Sequence, residues 1–130
     1  MSSASARYPG RAAIDAYGNG GFRFADMSHR GSILCLPSGV YAWEPAAPGR
    51  IDVASIEPGA FAAVFAEKGA LGLLLLGTGR SLTRPGPEVR KAFVAEGIAL
   101  EVMDTGAACR TYNVLLAEGR PVGAALVAVD

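Results

Sequence analysis

Charged side chains, cysteines and histidines are scarce in this sequence, and each scarcity argues against a class of protein. Only 18% of the residues are charged, and 12 basic side chains balance 12 acidic ones. Because neutralising phosphates requires a clustered excess of positive charge, we expect no nucleic-acid binding. Cys35, Cys109 and the single histidine, His29, are too few for a disulfide scaffold or a usual zinc site. We therefore expect neither a metal nor a cofactor.

Long hydrophobic runs are also missing. The longest strongly apolar run, Leu71–Leu76, is far shorter than the ~20 residues that a membrane-spanning helix needs. No apolar segment typical of a secretory signal follows Met1. These absences predict a cytoplasmic protein that is not an integral membrane protein.

Apolar residues are nevertheless abundant, at 51% of the 130 positions, which argues against intrinsic disorder. A chain of this length buries roughly two thirds of the surface that it exposes when unfolded. We expect a flexible N-terminal tail over residues 1–13 and a single α/β domain over residues 14–130.

The first half of the chain has the pattern of β-hairpins. Gly18–Gly21 contains Asn-Gly, which favours a tight turn, and Pro37–Gly39 has similar turn chemistry. A Pro/Gly loop is expected over Glu44–Arg50. The strands predicted around the two turns are Ile14–Tyr17, Phe22–Phe24, Ser32–Leu36 and Val40–Trp43.

The second half alternates helices with apolar strands. Pro58, Pro87 and Thr105 are the expected helix starts, with Thr105 as an N-cap. The predicted helices lie over residues 58–69, 87–97 and 107–118, and the predicted strands are Leu71–Leu76, Ile98–Met103 and Val122–Val129. Strand–helix–strand alternation is typical of a mostly parallel, buried sheet.

One candidate binding segment is the glycine-rich turn after the Leu71–Leu76 strand. Loops that follow the strands of an open α/β sheet are common ligand sites, and their free N–H groups favour anions. Neither GxxxxGK[ST] nor GxGxxG is present, so a tight turn with two solvated arginines explains the segment as well. The candidate residues are Gly77, Thr78, Gly79, Arg80 and Arg84.

The second candidate segment joins the end of the Ile98–Met103 strand to the last helix. It contains Asp104, Thr105, Cys109 and Arg110. The helix dipole and Arg110 would favour a thiolate at Cys109, whereas simple packing of a buried thiol is an equal explanation. We assign no catalytic residue, because no partner motif for a nucleophile is present.

Ordered segments along the chain resemble a family that contains the mitochondrial respiratory complex I assembly factor 3 and uncharacterised bacterial and archaeal single-domain proteins. The segments that carry the resemblance are Ile14–Tyr17 with Gly21-Phe22, Gly31–Leu34, Val40–Trp43, Leu75–Gly79, Gly97–Thr105, Ala107–Leu115 and Gly123–Leu126.

The resemblance implies a three-layer α/β fold with a central mixed sheet, a helical layer and an additional small β layer. It also implies a non-enzymatic role, in which a protein partner from a respiratory or membrane-protein assembly intermediate is bound. The alternative is a protein that binds a small anion or metabolite, and that could be an enzyme, through the strand-end loops 77–84 and 104–110. These loops would lie side by side if their strands were parallel neighbours.

Overall fold

A computed structural model describes residues 6–44 and 51–130, which form two β-sheets and three α-helices. The strands are β1 (Ala16–Gly18), β2 (Gly21–Phe24), β3 (Met27–Arg30), β4 (Ile33–Leu36), β5 (Gly39–Ala42), β6 (Leu73–Gly77), β7 (Ala99–Met103) and β8 (Val122–Leu126). The helices are α1 (Ala62–Phe65), α2 (Pro87–Glu96) and α3 (Thr105–Ala117). Short 3-10 turns lie at Val53–Ser55, Pro58–Phe61 and Lys68–Ala70.

The larger sheet is mixed and has the strand order β5-β4-β8-β6-β7. Strands β6, β7 and β8 are parallel, whereas β4 pairs antiparallel with both β5 and β8. The predicted mixed α/β fold is confirmed, but the sheet is not mostly parallel, because two of its four ladders are antiparallel. The hairpin turn between β4 and β5 and the insertion of β8 beside β4 account for this difference.

The smaller sheet has the order β1-β2-β3 and is antiparallel throughout. Its third strand is absent from the sequence-based prediction, since Met27–Arg30 is polar and does not alternate with apolar residues. The turn that creates it consists of Ala25 and Asp26, which both have positive φ angles, 50° and 61°. The single histidine, His29, therefore lies in a strand.

The hydrophobic core lies on both faces of the larger sheet. Successive strand residues point to opposite faces, so Leu74 and Leu76 enter one cluster and Leu75 enters the other. The first cluster includes Trp43, which follows β5, together with Phe61 and Phe93 from the region of α1 and α2. The second contains Phe22 and Phe24 of the small sheet together with Ala108, Cys109 and Tyr112 of α3. The three-layer arrangement that the resemblance implies stays a prediction.

Several element boundaries differ from the predicted ones. The region after Pro58 is a succession of short 3-10 and α turns, not one helix, and the last strand ends at Leu126. At the N-terminus, the backbone N–H of Arg7 and the carbonyl of Tyr8 hydrogen-bond to Val40. Residues 1–5 of the expected tail, and residues 45–50 of the expected loop, lie outside the described residues.

Candidate functional site

The two candidate segments meet at one edge of the larger sheet. Strands β6 and β7 are parallel neighbours, and Gly77 is opposite Met103 in their register. Beyond the strand ends, the N–H of Thr78 donates to the carbonyl of Met103 at 2.9 Å, and the N–H of Thr105 donates to the carbonyl of Gly79 at 2.9 Å. The loops 77–84 and 104–110 are therefore in direct contact, as their parallel strands require.

Thr105 is the residue that ties this edge together. Its side chain is fully buried, and its hydroxyl accepts from the N–H of Gly79 at 2.9 Å and donates to the carbonyl of Val127 at 2.7 Å. The predicted N-cap role of Thr105 is wrong, because the side chain of Asp104 caps α3 by accepting from the N–H of Ala107 at 2.9 Å. A threonine next to an aspartate obscures which of the two is the cap, since both residue types favour that position.

Gly77 allows α3 to lie directly against the end of β6. A Cβ atom at this position would be 3.0 Å from the Cα of Thr105 and 3.1 Å from the Cβ of Ala108, closer than ordinary contact. Thr78 closes the following loop: its hydroxyl donates to the carbonyl of Ser81 at 2.7 Å and accepts from the N–H of Thr83 at 3.0 Å. Several polar groups of the Gly-Thr-Gly turn are thus occupied by hydrogen bonds within the protein.

The three arginines predicted here lie at the surface. Arg80, Arg84 and Arg110 are all exposed. The guanidinium of Arg80 donates to the backbone carbonyl of Asp130 at 2.8 Å, which anchors the residues that follow β8. Near Arg110, the Tyr17 hydroxyl covers Gly106 so closely that a Cβ atom there would collide with it. Tyr17 brings the small sheet onto the first turn of α3, a contact that no sequence pattern indicates.

Cys109 is a packed thiol in the second core cluster. Burial raises its pKa to about 12, and the opposing influence of Arg110 is smaller than the cost of desolvation. The pKa of Cys35 is also raised, by burial first and by the nearby Cys109 second. At neutral pH both groups are protonated, so the thiolate that the helix position suggests is not favoured by the environment.

A cleft lies on the small sheet, outside both candidate segments. It has a volume of about 440 Å³, and its lining includes Tyr17, Arg23, Ser28, His29 and Arg30. Burial, followed by repulsion from Arg7, lowers the pKa of His29, which favours the neutral imidazole. No sequence pattern predicts this cleft, because Arg23 and Arg30 lie on different strands, β2 and β3, and no motif joins them.

Two classes of feature are absent from the described part of the chain. Within residues 6–44 and 51–130, no three His, Cys, Asp or Glu side chains come together to hold a metal ion. No helix within the same ranges is long and apolar enough to cross a membrane.

Sequence comparison places the chain beside proteins of two kinds. A family model described as "Protein of unknown function (DUF498/DUF598)" matches residues 14–127. An uncharacterised protein of Rhodobacter capsulatus is 37% identical over 92% of this chain and 87% of its own length. NADH dehydrogenase (ubiquinone) 1 alpha subcomplex assembly factor 3 of Mus musculus is 32% identical over 98% of this chain and 66% of its own length. The chain thus spans about two thirds of that assembly factor.

Solved structures of similar proteins share the fold. A crystal structure described as an outer membrane protein from Bartonella henselae superposes with a TM-score of 0.84, at 49% identity over 95% of this chain and 100% of that one. The solution structure of a Rhodopseudomonas palustris protein gives a TM-score of 0.76 at 39% identity, over 100% of this chain and 92% of that one. A Bordetella pertussis protein described as an Mth938-like domain gives 0.64 at 27% identity, over 98% and 92%.

Proposed function

Because the chain belongs to the DUF498/DUF598 family, we propose that it is a non-enzymatic assembly factor that binds a protein partner on a respiratory or membrane-protein intermediate. The observation that carries the proposal is the match to complex I assembly factor 3, which covers 98% of this chain. A match of this extent relates the entire domain, and not one loop, to the assembly factors. A cytoplasmic location stays a prediction.

The environment of Cys109 supports a binding role over covalent catalysis. A nucleophilic cysteine needs a lowered pKa, usually from a neighbouring base, whereas burial moves the pKa of Cys109 upward to about 12. The buried Thr105 hydroxyl at the same edge is fully engaged with the backbone. These polar groups stabilise the fold.

A gene deletion in the native organism tests the proposal. We expect the deletion strain to accumulate less assembled complex I, measured on native gels and by NADH-dependent quinone reduction. We also expect the tagged protein to recover complex I subunits or another assembly factor. Normal complex I in the deletion strain, together with no recovered respiratory subunit, would contradict the proposal.

Complementation with Cys109→Ala provides the matched control. The side chain is buried and its thiol is protonated, so a non-enzymatic factor should tolerate its replacement. We expect this variant, once shown to fold by circular dichroism, to restore complex I as well as the unchanged protein. A folded variant that fails to complement would instead indicate chemistry at this thiol.

The alternative function is a small-anion or metabolite site between loops 77–84 and 104–110. Its support is the adjacency of β6 and β7, which places Arg80 and Arg110 on neighbouring loops. Against it, the N–H of Gly79 and that of Ala107 already donate to side chains of the protein. Thermal stabilisation by phosphate or citrate that disappears in Arg80→Gln and Arg84→Gln would favour this alternative. If both variants were stabilised as much as the unchanged protein, this alternative would be eliminated.

A further inference from the structure

The outer face of the small sheet carries two arginines on adjacent strands. Phe22 and Phe24 point into the core, so the residue between them, Arg23, points to the opposite face. Cross-strand pairing places Ser28 beside Arg23 and Arg30 beside Gly21 on this same outer face. We name the cleft formed by Gly18, Gly21, Arg23, Ser28 and Arg30 the arginine cleft.

Two glycines line the arginine cleft, and they differ in their surroundings: Gly18 faces open space, whereas Gly21 lies against the backbone of β3. A Cβ atom at Gly21 would collide with the backbone carbonyl oxygen of His29 and would lie 3.2 Å from the Cα of Arg30. The backbone of β3 therefore lies too close to position 21 for any side chain, and only glycine fits there. The cleft volume of about 440 Å³ falls within the range of small-molecule sites, roughly 300–1,000 Å³.

The charged side chains that line the arginine cleft are both basic. Arg23 and Arg30 are diagonal neighbours, for which Cα atoms are about 7–8 Å apart, so both guanidinium groups can reach one ligand. In the described part of the chain, neither arginine has a carboxylate within 4.0 Å. The Arg30 guanidinium and the Asp130 carboxylate both approach the turn at Gly20, at the margin of the cleft: a Cβ atom there would lie 3.7 Å from Arg30 Nη1 and 4.0 Å from Asp130 Oδ1.

We propose that the arginine cleft binds a small organic phosphate, with the phosphate group held between Arg23 and Arg30. Two guanidinium forks that approach from different strands suit a tetrahedral group with several oxygens, whereas a carboxylate is satisfied by one fork. The Ser28 hydroxyl lies on the same face and supplies a further donor. The volume exceeds the needs of the phosphate, so the organic part lies beside Gly18, where a Cβ atom would face open space. This site is separate from the assembly role and does not depend on it.

The test is a titration followed by amide chemical shifts of the ¹⁵N-labelled protein at constant ionic strength. The probes are inorganic phosphate, glucose 6-phosphate and adenosine monophosphate. We expect saturable shifts at the amides of residues 18–30 and tighter binding of at least one organic phosphate than of inorganic phosphate. Arg23→Gln and Arg30→Gln should each weaken that binding about tenfold, because each removes hydrogen bonds to a charged group.

Arg90→Gln is the matched control, since Arg90 is an exposed arginine on α2, outside the cleft lining. Its titration should be unchanged. Three results would overturn the proposal: no saturable shift with any probe, equal affinities in all three variants, or organic phosphates that bind no better than inorganic phosphate. Saturable binding of an acidic peptide without any binding of the phosphates would also overturn it, and would identify a protein-binding surface instead.

Discussion

Replacing Thr105 by valine should lower the stability of the fold sharply although it hardly changes the volume of the side chain. The buried hydroxyl accepts from the N–H of Gly79 and donates to the carbonyl of Val127. Valine fills the space but offers neither interaction, so a buried N–H and a buried carbonyl each lose this partner. An unsatisfied buried group costs about 1–3 kcal/mol. We therefore expect Thr105→Val to lower the free energy of unfolding by about 3 kcal/mol.

Urea unfolding followed by circular dichroism measures this loss. With a slope of about 2 kcal/mol per molar urea, the midpoint should fall by roughly 1.5 M. Thr105→Ser keeps the hydroxyl and loses one methyl group, so its loss should be about 1 kcal/mol. Thr111→Val, in the same helix, should change the stability by less than about 0.5 kcal/mol. A Thr105→Val variant as stable as the unchanged protein, or a serine variant as unstable as the valine variant, would contradict a stabilising role for these two hydrogen bonds.

Three further changes test other contacts. Gly21→Ala should lower the melting temperature by about 5 °C or more, because its Cβ collides with the carbonyl of the facing strand, whereas Gly59→Ala, with open space around it, should not; equal melting temperatures would contradict the close approach of β3 to Gly21. Asn113→Ala should destabilise by about 2 kcal/mol and speed amide exchange at Ile14, because the asparagine amide accepts from the Ile14 N–H and donates to the Ile14 carbonyl, both at 2.8 Å; unchanged exchange would rule this contact out. Burial raises the pKa of Cys109 from 9.0 to about 12, so between these pH values the folded protein keeps a proton that the unfolded thiol loses. The free energy of unfolding should therefore fall as pH rises from 9.0 towards 12, by roughly 2 kcal/mol at about pH 10.5. Urea unfolding of Cys109→Ala over the same pH range should lack this part of the loss.

Apolar periodicity was sufficient to predict most of the larger sheet. The run at Leu71–Leu76 and the alternating residues at Ile98–Met103 correspond to β6 and β7, shifted by one or two residues. Turn chemistry likewise predicted the β4–β5 hairpin. Strand order was beyond reach, because the pairing of β8 with β4 joins residues about ninety positions apart, and no local pattern encodes such a contact.

The missed features depend on polar residues that are recognisable only in three dimensions. Strand β3 exists because β2 and a positive-φ turn present it with a partner, not because its own sequence favours a strand. For the same reason the arginine cleft could not be predicted: Arg23 and Arg30 are seven positions apart and meet only through the register of β2 and β3. The adjacency of loops 77–84 and 104–110, by contrast, was predicted on the condition that their strands are parallel neighbours, and the pairing of β6 with β7 meets that condition.

The position of β8 has a consequence for the order in which the chain folds. This strand lies between β4 and β6, yet it is synthesised after both. Until it is added, the β4–β5 hairpin and the β6–β7 pair have no hydrogen-bonded connection within the larger sheet, and each leaves an apolar edge uncovered. Such late, long-range closure slows folding and exposes strand edges to other chains. A ribosome-bound chain that lacks β8 should therefore be a chaperone substrate, and the addition of residues 122–126 should complete the sheet.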